Sequence, residues 1–489
     1  MILPLIKKKS GLLAEWLILL SCFGYPLQAM VVVALKVDST IINTGFRAAY
    51  LAMAAILLLM SLLNVPEYLR TNPHRKFPTL LASFTPLLVL SLFWIIYGIR
   101  LVYELEYQDW RMQHYSDFYI YSWAFGCSMI PAMAVLMHAG SINSERFTRN
   151  LIILLGLANV AIVYGLWHYS PSGLHGILGE RMTITLPVKD DRPDQSLLNP
   201  ITIGLYGSWL ALAALTWVFL FRKKLPVWVT LLLIPAFLLG LFNLMASASR
   251  GPLAGFLLIA AGLTLAGSIR VFTWIRKPKH RPEKYSVSSV NQDQIGNRVA
   301  RSFRISASGV IWSVVLVALL LLGIWRLRSM DIGNYALLDR IHQMILEQQD
   351  GQGNIRLAIW KSAWHQFTVN PIFGDSIIND KGYFYSHNIF MDALMSVGIV
   401  GTIPFLVWFF LSFWYFIRLP AHRKRELSVL FVAYLAALLL SMTSGGIFTV
   451  PEVWILSAAV IGLSQKYLLD EERTKSGQRA DKELDEELD

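Results

Sequence analysis

The chain has 489 residues, of which 55% are hydrophobic and only 15% are charged. Soluble proteins carry charges on about a quarter of their residues, so this composition excludes a soluble globular protein. The formal net charge of +11 does not indicate a nucleic-acid partner, because the basic residues fall in alternate loops between apolar segments, as membrane topology requires. The sequence therefore predicts a polytopic membrane protein.

The N-terminus resembles a secretory signal peptide, because three lysines, Lys7 to Lys9, precede an apolar segment. That segment continues to about Leu35 without a small-residue cleavage site, so we interpret it as an uncleaved first helix. Cys22 and Cys127 both lie in apolar segments. They are predicted to be unreactive packing residues, since a thiol in apolar surroundings is rarely ionised.

About twelve apolar segments have the length needed to cross a hydrocarbon layer of about 30 Å. They are 11–35, 45–63, 79–99, 118–138, 150–169, 199–221, 226–245, 252–269, 308–327, 388–417, 426–444 and 449–467. Numbering the loops from a cytoplasmic N-terminus places the clusters at 70–76, 146–149, 222–224, 270–307 and 418–425 on one side. The positive-inside rule then predicts that both termini are cytoplasmic.

This pattern predicts an all-α membrane protein with one large external loop. Helices 1 to 9 occupy residues 1–327, the loop occupies 328–386, and helices 10 to 12 occupy 387–467. The acidic tail at 468–489 is predicted to be a solvated or disordered cytoplasmic end.

Apolar residues recur at helical spacing in two stretches of the large loop. They are Leu337, Leu338, Ile341, Met344 and Ile345 in the first stretch, and Leu357, Trp360, Trp364 and Phe367 in the second. Each stretch is predicted to be an amphipathic helix lying on the membrane or on the bundle. Asn354 is predicted to cap the second helix, and the sequence "NPIFGD" to end it. A loop of this size built from helices is typical of a functional segment.

Arg250 lies in the short turn "ASASRGPLAGF" between the seventh and eighth predicted spans. Pro252 suits the first turn of a helix, which places Arg250 at the helix N-terminus. A cation there opposes the helix dipole, whereas an anion is favoured both by the dipole and by the guanidinium group. Arg250 is therefore interpreted as half of an anion site, with a lipid-facing arginine as the equal alternative.

Two further arginines lie on the same predicted side. Arg356 falls in the first turn of the second loop helix, and Arg181 falls in the sequence "LGERMTITLPV". From position alone, a solvated surface residue is the better explanation of Arg356, and more so of Arg181, which has no helical constraint.

His387 stands immediately before the tenth predicted span, in "YSHNIFMDALMSVGIVG". Ser386 or Asn388 can cap that helix, which alone would account for the polar residues. A histidine also accepts a proton from a hydroxyl near neutral pH. Asp392 is five residues away, about 140° around a helix, so it is not expected to share a face with His387.

No metal site is predicted. The adjacent acids Asp190 and Asp191 could bind a divalent cation, but two neighbouring carboxylates without further ligands are better explained as a solvated loop. The sequence also contains none of the common nucleotide, zinc or serine-hydrolase motifs.

The ordered set of motifs resembles the O-antigen ligase/polymerase superfamily over about residues 175–402. The motifs are the "SRG" arginine, "R-x3-W", "P-x-x-G" and "HN-x9-G-x2-G", preceded by an arginine and an Asn-Pro helix start. They correspond to Arg250, Arg356 and Trp360, Pro371 and Gly374, His387 and Asn388 with Gly398 and Gly401, and to Arg181 with Asn199-Pro200.

The resemblance implies a GT-C-like, inverting and metal-independent glycosyltransferase without a cofactor in a bacterial inner membrane, with a periplasmic active site. Its donor is expected to be a glycan on undecaprenyl diphosphate. The acceptor is a lipid A–core oligosaccharide in the ligase branch, another lipid-linked repeat in the polymerase branch, and a protein hydroxyl in a third. The single dominant external loop favours the ligase.

The resemblance also implies roles for individual residues. Arg250, Arg181 and Arg356 are expected to bind the diphosphate, His387 to activate or position the acceptor hydroxyl, and Asn388 and Trp360 to orient the site. The alternatives are a lipid-linked sugar transporter, which would place charges in mid-membrane within related halves, and a structural scaffold.

Overall fold

The computed structural model describes residues 2–35, 39–71, 77–107, 120–170, 182–186, 195–221, 227–276, 355–380 and 385–488. The α-helices are α1 (Ile2–Leu35), α2 (Ser39–Thr71), α3 (Phe77–Tyr107), α4 (Ile130–His138), α5 (Ser144–Tyr169), α6 (Pro200–Phe221), α7 (Val227–Ala246), α8 (Arg250–Arg276), α9 (Ile355–Val369), α10 (Ile389–Arg418), α11 (Ala421–Ser444) and α12 (Pro451–Leu488). A π-helix, Ser122–Met129, precedes α4, and a 3₁₀ turn, Ala139–Ser141, follows it. Two short strands, β1 (Ile184–Leu186) and β2 (Gln195–Leu198), pair antiparallel. Apart from this pair, the described residues form helices and their connections, which confirms the predicted all-α class.

Seven helices within the described residues are long and apolar enough to cross a membrane. They are Ile41–Ser61, Phe84–Tyr107, Ser122–Ser141, Ser144–Tyr169, Pro200–Leu220, Ile389–Arg418 and Ala421–Ser444. The bent pair Lys9–Gly24 with Pro26–Val32 adds an eighth when it is counted as one span. Two shorter apolar helices, Leu231–Ala246 and Arg250–Leu265, coincide with the predicted spans 226–245 and 252–269. The polytopic class is confirmed, while the count of twelve stays a prediction.

The remaining predicted segments are either outside the described residues or part of α12. The span at 308–327, the loop helix at 337–345 and the cap at Asn354 lie outside the described residues. The last predicted span, 449–467, forms the buried first half of α12. The acidic tail, predicted to be solvated or disordered, continues this helix as far as Leu488.

Close backbone contact and buried amides join α5, α6 and α7. Gly207 and Gly240 face each other so closely that a Cβ on either would lie 2.6 Å from the other's carbonyl oxygen. The Asn243 side-chain amide donates to the Asn159 Oδ1 atom at 2.8 Å, and Asn159 donates to the Tyr206 carbonyl at 3.0 Å. Small residues and amide hydrogen bonds are the usual means of helix association in a membrane, where apolar burial gives little advantage. This packing fixes the position of the end of α7, and the short turn after it leads to Arg250.

An aromatic cluster joins α3, α10 and α12. The Trp454 ring lies 5.1 Å from the rings of Phe93 and Trp94, and 6.0 Å from that of Phe405. Its Nε1 atom donates to the Ile447 carbonyl at 2.6 Å. The cluster therefore holds the connection between α11 and α12 against the core.

Helix α10 is interrupted one third of the way along by Gly398, which has a φ of +56°. The turn 371–374, which follows α9, occupies the interruption. The Asp375 N–H donates to the Met395 carbonyl at 2.8 Å, and the N–H groups of Ile399 and Val400 donate to the carbonyls of Pro371 and Ile372. The spacing of Gly398 and Gly401 predicts close packing against another helix. For Gly398 this is wrong, because its partner is a turn whose backbone completes the broken hydrogen-bond ladder.

The Gly398→Ala variant is expected to lose about 2–4 kcal/mol of stability, because alanine disfavours this φ and its Cβ would collide with the backbone of the turn. Thermal unfolding in detergent measures the effect. Gly262→Ala is the matched control, since a Cβ there meets nothing within 4 Å. Equal melting temperatures for the two variants would contradict the interlocked turn.

Candidate active site

Arg250 is the first residue of α8, as the sequence predicts, and Pro252 follows in the first turn. The turn before it is tight. Ala248 has a φ of +43°, and the Ser247 hydroxyl accepts a hydrogen bond from the Ser249 N–H at 3.2 Å. A residue with a side chain rarely adopts this conformation, and such backbone strain is common at functional sites.

The start of α8 lies against the end of α11. A Cβ added at Gly251 would be only 2.6 Å from the Thr443 Oγ1 atom. The glycine in "SRG" therefore has a packing reason, since it lets the backbone beside Arg250 approach Thr443.

Arg356 lies in the first turn of α9, also as predicted. Its guanidinium group donates from Nη2 to the Ser444 hydroxyl at 3.2 Å. Trp360 follows one helical turn later, and its indole Nε1 is buried without a hydrogen-bond partner among the described residues. A buried N–H donor without a partner is uncommon in folded proteins, so Trp360 has a donor available for a ligand.

The buried face of α9 differs from the predicted one. Leu357 and Trp364, which the apolar pattern placed on one stripe, are about half exposed at 47% and 51%. Ile359, Ala363 and Gln366 are buried, each with only 1% of its surface exposed. The Gln366 side chain donates to the Ile378 carbonyl at 3.0 Å. The loop after α9 folds back on a face that contains a small and a polar residue, which an apolar pattern does not reveal.

His387 adopts a φ of +57°, and its ring lies 4.5 Å from that of Tyr385. Asn388 is the N-cap of α10, as predicted, because its side-chain oxygen accepts from the N–H groups of Phe390 and Met391 at 3.0 and 3.2 Å. The cap orients the helix start and leaves the His387 side chain in a half-buried position.

The surroundings keep the imidazole neutral. Burial lowers the pKa of His387 below its ordinary value, and the positive charge of Arg356 lowers the pKa further. A neutral imidazole has one ring nitrogen that can accept a proton. Arg356 is therefore one of the charges that act on His387.

The segment 443–447, with the sequence Thr-Ser-Gly-Gly-Ile, joins these parts and was missed by sequence reasoning. Thr443 meets the start of α8, and Ser444 binds Arg356. The backbone N–H of Ile447 donates at 2.9 Å to Asp392 of α10. The sequence signal was a glycine pair between the last two predicted spans, on the same predicted side as Arg250.

Arg181 and the acids at 190–191 lie outside the described residues. Met182, the next residue after Arg181, donates its N–H to the Ala246 carbonyl at 3.3 Å. The chain therefore passes close to the turn that carries Arg250. Within the described ranges, no group of three or more His, Cys, Asp or Glu side chains could hold a metal ion.

The fold defines a polytopic helical membrane protein. Its candidate site combines guanidinium groups, an indole N–H and a neutral imidazole. Residues 235–406 match the family model described as O-antigen ligase. This match supports the resemblance to the O-antigen ligase superfamily that the motifs predicted. The match covers about a third of the chain and includes Arg250, Arg356 and His387, whereas the segment 443–447 lies beyond it. None of the curated proteins compared with the chain matches it.

Proposed function

We propose that this protein is an O-antigen ligase, which transfers a glycan from undecaprenyl diphosphate to a lipid A–core oligosaccharide. The observation that carries the proposal is the arrangement of Arg250, Arg356 and a neutral His387 around one segment at one end of the helix bundle. The reaction is an inverting, metal-independent transfer at the periplasmic face of a bacterial inner membrane, with both termini in the cytoplasm.

The arginines suit the donor. A diphosphate is a good leaving group when its developing charge is neutralised, so the reaction needs no nucleotide. Guanidinium groups bind phosphate oxygens through paired hydrogen bonds and keep their charge at any physiological pH. Arg250, at the start of α8, adds the positive end of a helix dipole. We assign the diphosphate to Arg250 and Arg356, with the Trp360 N–H as a further donor, and extend the assignment to Arg181.

His387 suits the acceptor. In a single displacement, the acceptor oxygen attacks the anomeric carbon as the bond from that carbon to the diphosphate oxygen breaks. The acceptor proton passes to the neutral imidazole, and the released lipid diphosphate keeps the bonding electrons. General-base assistance of this kind contributes about 10²- to 10⁴-fold to a rate.

The position of the charges favours an enzyme over a transporter. Transporters place functional charges near the bilayer midplane in broken helices. Arg250 and Arg356 instead lie in the first turns of their helices, and His387 lies just before α10.

Purified protein, incubated with undecaprenyl-diphosphate glycan and separate acceptors, tests the proposal. Glycan attached to lipid A–core, seen as a shifted band on a lipopolysaccharide gel, supports the ligase. A lengthening lipid-linked ladder would assign a polymerase, and glycan on protein would assign a protein transferase. If the folded protein transfers no glycan but moves the donor between the leaflets of a vesicle, it is a transporter.

Transfer is expected to continue at an unchanged rate in the presence of a chelator such as EDTA. The arginines supply the charge that a divalent cation would otherwise provide to the leaving diphosphate. The initial rate with and without chelator measures this. A loss of activity that magnesium restores would contradict it and revive Asp190 and Asp191 as ligands.

A further inference from the structure

Asp392 is a buried carboxylate with no role in the chemistry above. It lies in the first turn of α10, inside the span Ile389–Arg418, and only 2% of its surface is exposed. An ionisable residue is costly within a membrane and usually has a function there.

The two carboxylate oxygens hold two separate backbone segments. Oδ1 accepts from the Ser386 N–H at 3.2 Å, and Oδ2 accepts from the Ile447 N–H at 2.9 Å. A carboxyl group can accept on both oxygens, whereas an amide of the same size has one acceptor oxygen and one donor group. The pairing therefore requires the acid.

The segment held by Oδ1 carries His387. Its φ of +57° is unfavourable by about 1–2 kcal/mol for a residue with a Cβ, so the surrounding contacts must maintain it. Ser386 supplies one contact by donating its hydroxyl to the Asn388 carbonyl at 2.8 Å. Asp392 supplies another by fixing the Ser386 backbone.

The segment held by Oδ2 carries the partner of Arg356. Ser444, three residues before Ile447, accepts the hydrogen bond from the guanidinium group. Gly446 lies where this segment meets the His387 turn. A Cβ at Gly446 would be 2.8 Å from the Tyr385 Cβ and 3.1 Å from Asp392 Oδ2. The two segments thus meet at Asp392.

We propose that Asp392 is a positioning residue for glycan transfer, which locks the His387 turn to the segment 443–447 so that the imidazole and the Arg356 guanidinium keep one relative position. The inference rests on the proposed function. Asp392 acts through His387 and is not itself a catalytic residue.

The Asp392→Asn variant tests the proposal, because it preserves size but loses one acceptor. We expect kcat to fall about 10- to 100-fold, since small misplacements of a catalytic group have effects of this size. The KM for the donor is expected to change little. Asp380→Asn, at an exposed carboxylate in the connection between α9 and α10, is the control with unchanged activity.

A double-mutant cycle separates positioning from a structural role. In a His387→Gln background, Asp392→Asn is expected to cost less than about twofold, because residues that act as a unit are not additive. The same loss in both backgrounds, or an unchanged kcat with a raised donor KM, would overturn the proposal.

Gly446→Ala provides a second variant that separates the same segments without altering Asp392. It is expected to lower kcat in the same His387-dependent way. If Asp392→Asn does not fold and Gly446→Ala is fully active, or if neither variant folds, the role is structural and the proposal fails.

Histidine NMR titration gives a readout that does not depend on transfer. Burial and Arg356 both lower the pKa of His387, so releasing the turn in Asp392→Asn should raise the pKa towards that of a solvated histidine. Failure of the wild type to transfer any glycan would contradict the proposed function alone, whereas an unchanged His387 titration would contradict the positioning role.

Discussion

Replacing Arg250 with alanine is expected to reduce kcat/KM for glycan transfer by on the order of 10²- to 10³-fold, as removal of one charge-stabilising group from an active site typically does. The guanidinium group stands at the first residue of α8, where the dipole and the side chain favour the same anion. Its removal leaves the departing diphosphate without one of its cations. Initial rates with purified protein and lipid-linked donor measure the loss.

Two further variants define the origin of that effect. Arg250→Lys keeps the charge but loses the planar fork, so its activity should lie between those of the wild type and the alanine variant. Arg149→Ala is the matched control, because Arg149 is an exposed residue near the start of α5. The opposite end of α5 is the one that contacts Met182, close to the turn that carries Arg250. Full activity of folded Arg250→Ala, or an equal loss in Arg149→Ala, would contradict the anion site.

The parts of the site that depend on local signals were predictable from the sequence. Pro252 in a first turn placed Arg250 at the start of a helix, and the "SHN" sequence placed a cap at Asn388. Both follow from short-range backbone chemistry, since proline suits the first helical turn and asparagine satisfies free N–H groups at a helix start. The sidedness of the basic loops then brought the candidate residues to one predicted face.

The parts that depend on long-range contacts were not predictable in the same way. Asp392 was expected not to share a face with His387, and nothing in its spacing indicated that it would bind the backbone of Ile447, in the connection to α12. The partner of Gly398 was likewise a turn rather than a helix. On α9, the loop that follows the helix folds back on a face that contains Ala363 and Gln366, so the apolar pattern does not show which face is buried.

Replacing His387 with alanine is expected to lower kcat by about 10²- to 10⁴-fold, the usual contribution of a general base, with little change in donor affinity. The structure places the imidazole beside Tyr385 and close enough to Arg356 for the guanidinium charge to lower its pKa. The donor retains its arginines in this variant, so binding and turnover should separate. A collapse of donor affinity would contradict an acceptor role.

The pH dependence supplies an independent test of the same residue. Burial and Arg356 lower the pKa of His387, so the imidazole is neutral at pH 7. Activity should therefore fall only when the pH drops below the ordinary pKa of a histidine. Protonation removes the acceptor nitrogen and places a second positive charge beside Arg356, so the fall must occur on the acid side. His365→Ala, at an exposed histidine on α9, is the control. It should keep both the rate and the fall in activity at acid pH, which is the acid limb of the pH–rate profile. If the residual activity of His387→Ala showed the same acid limb, another group would be the one that titrates, and His387 would hold the acceptor without taking its proton.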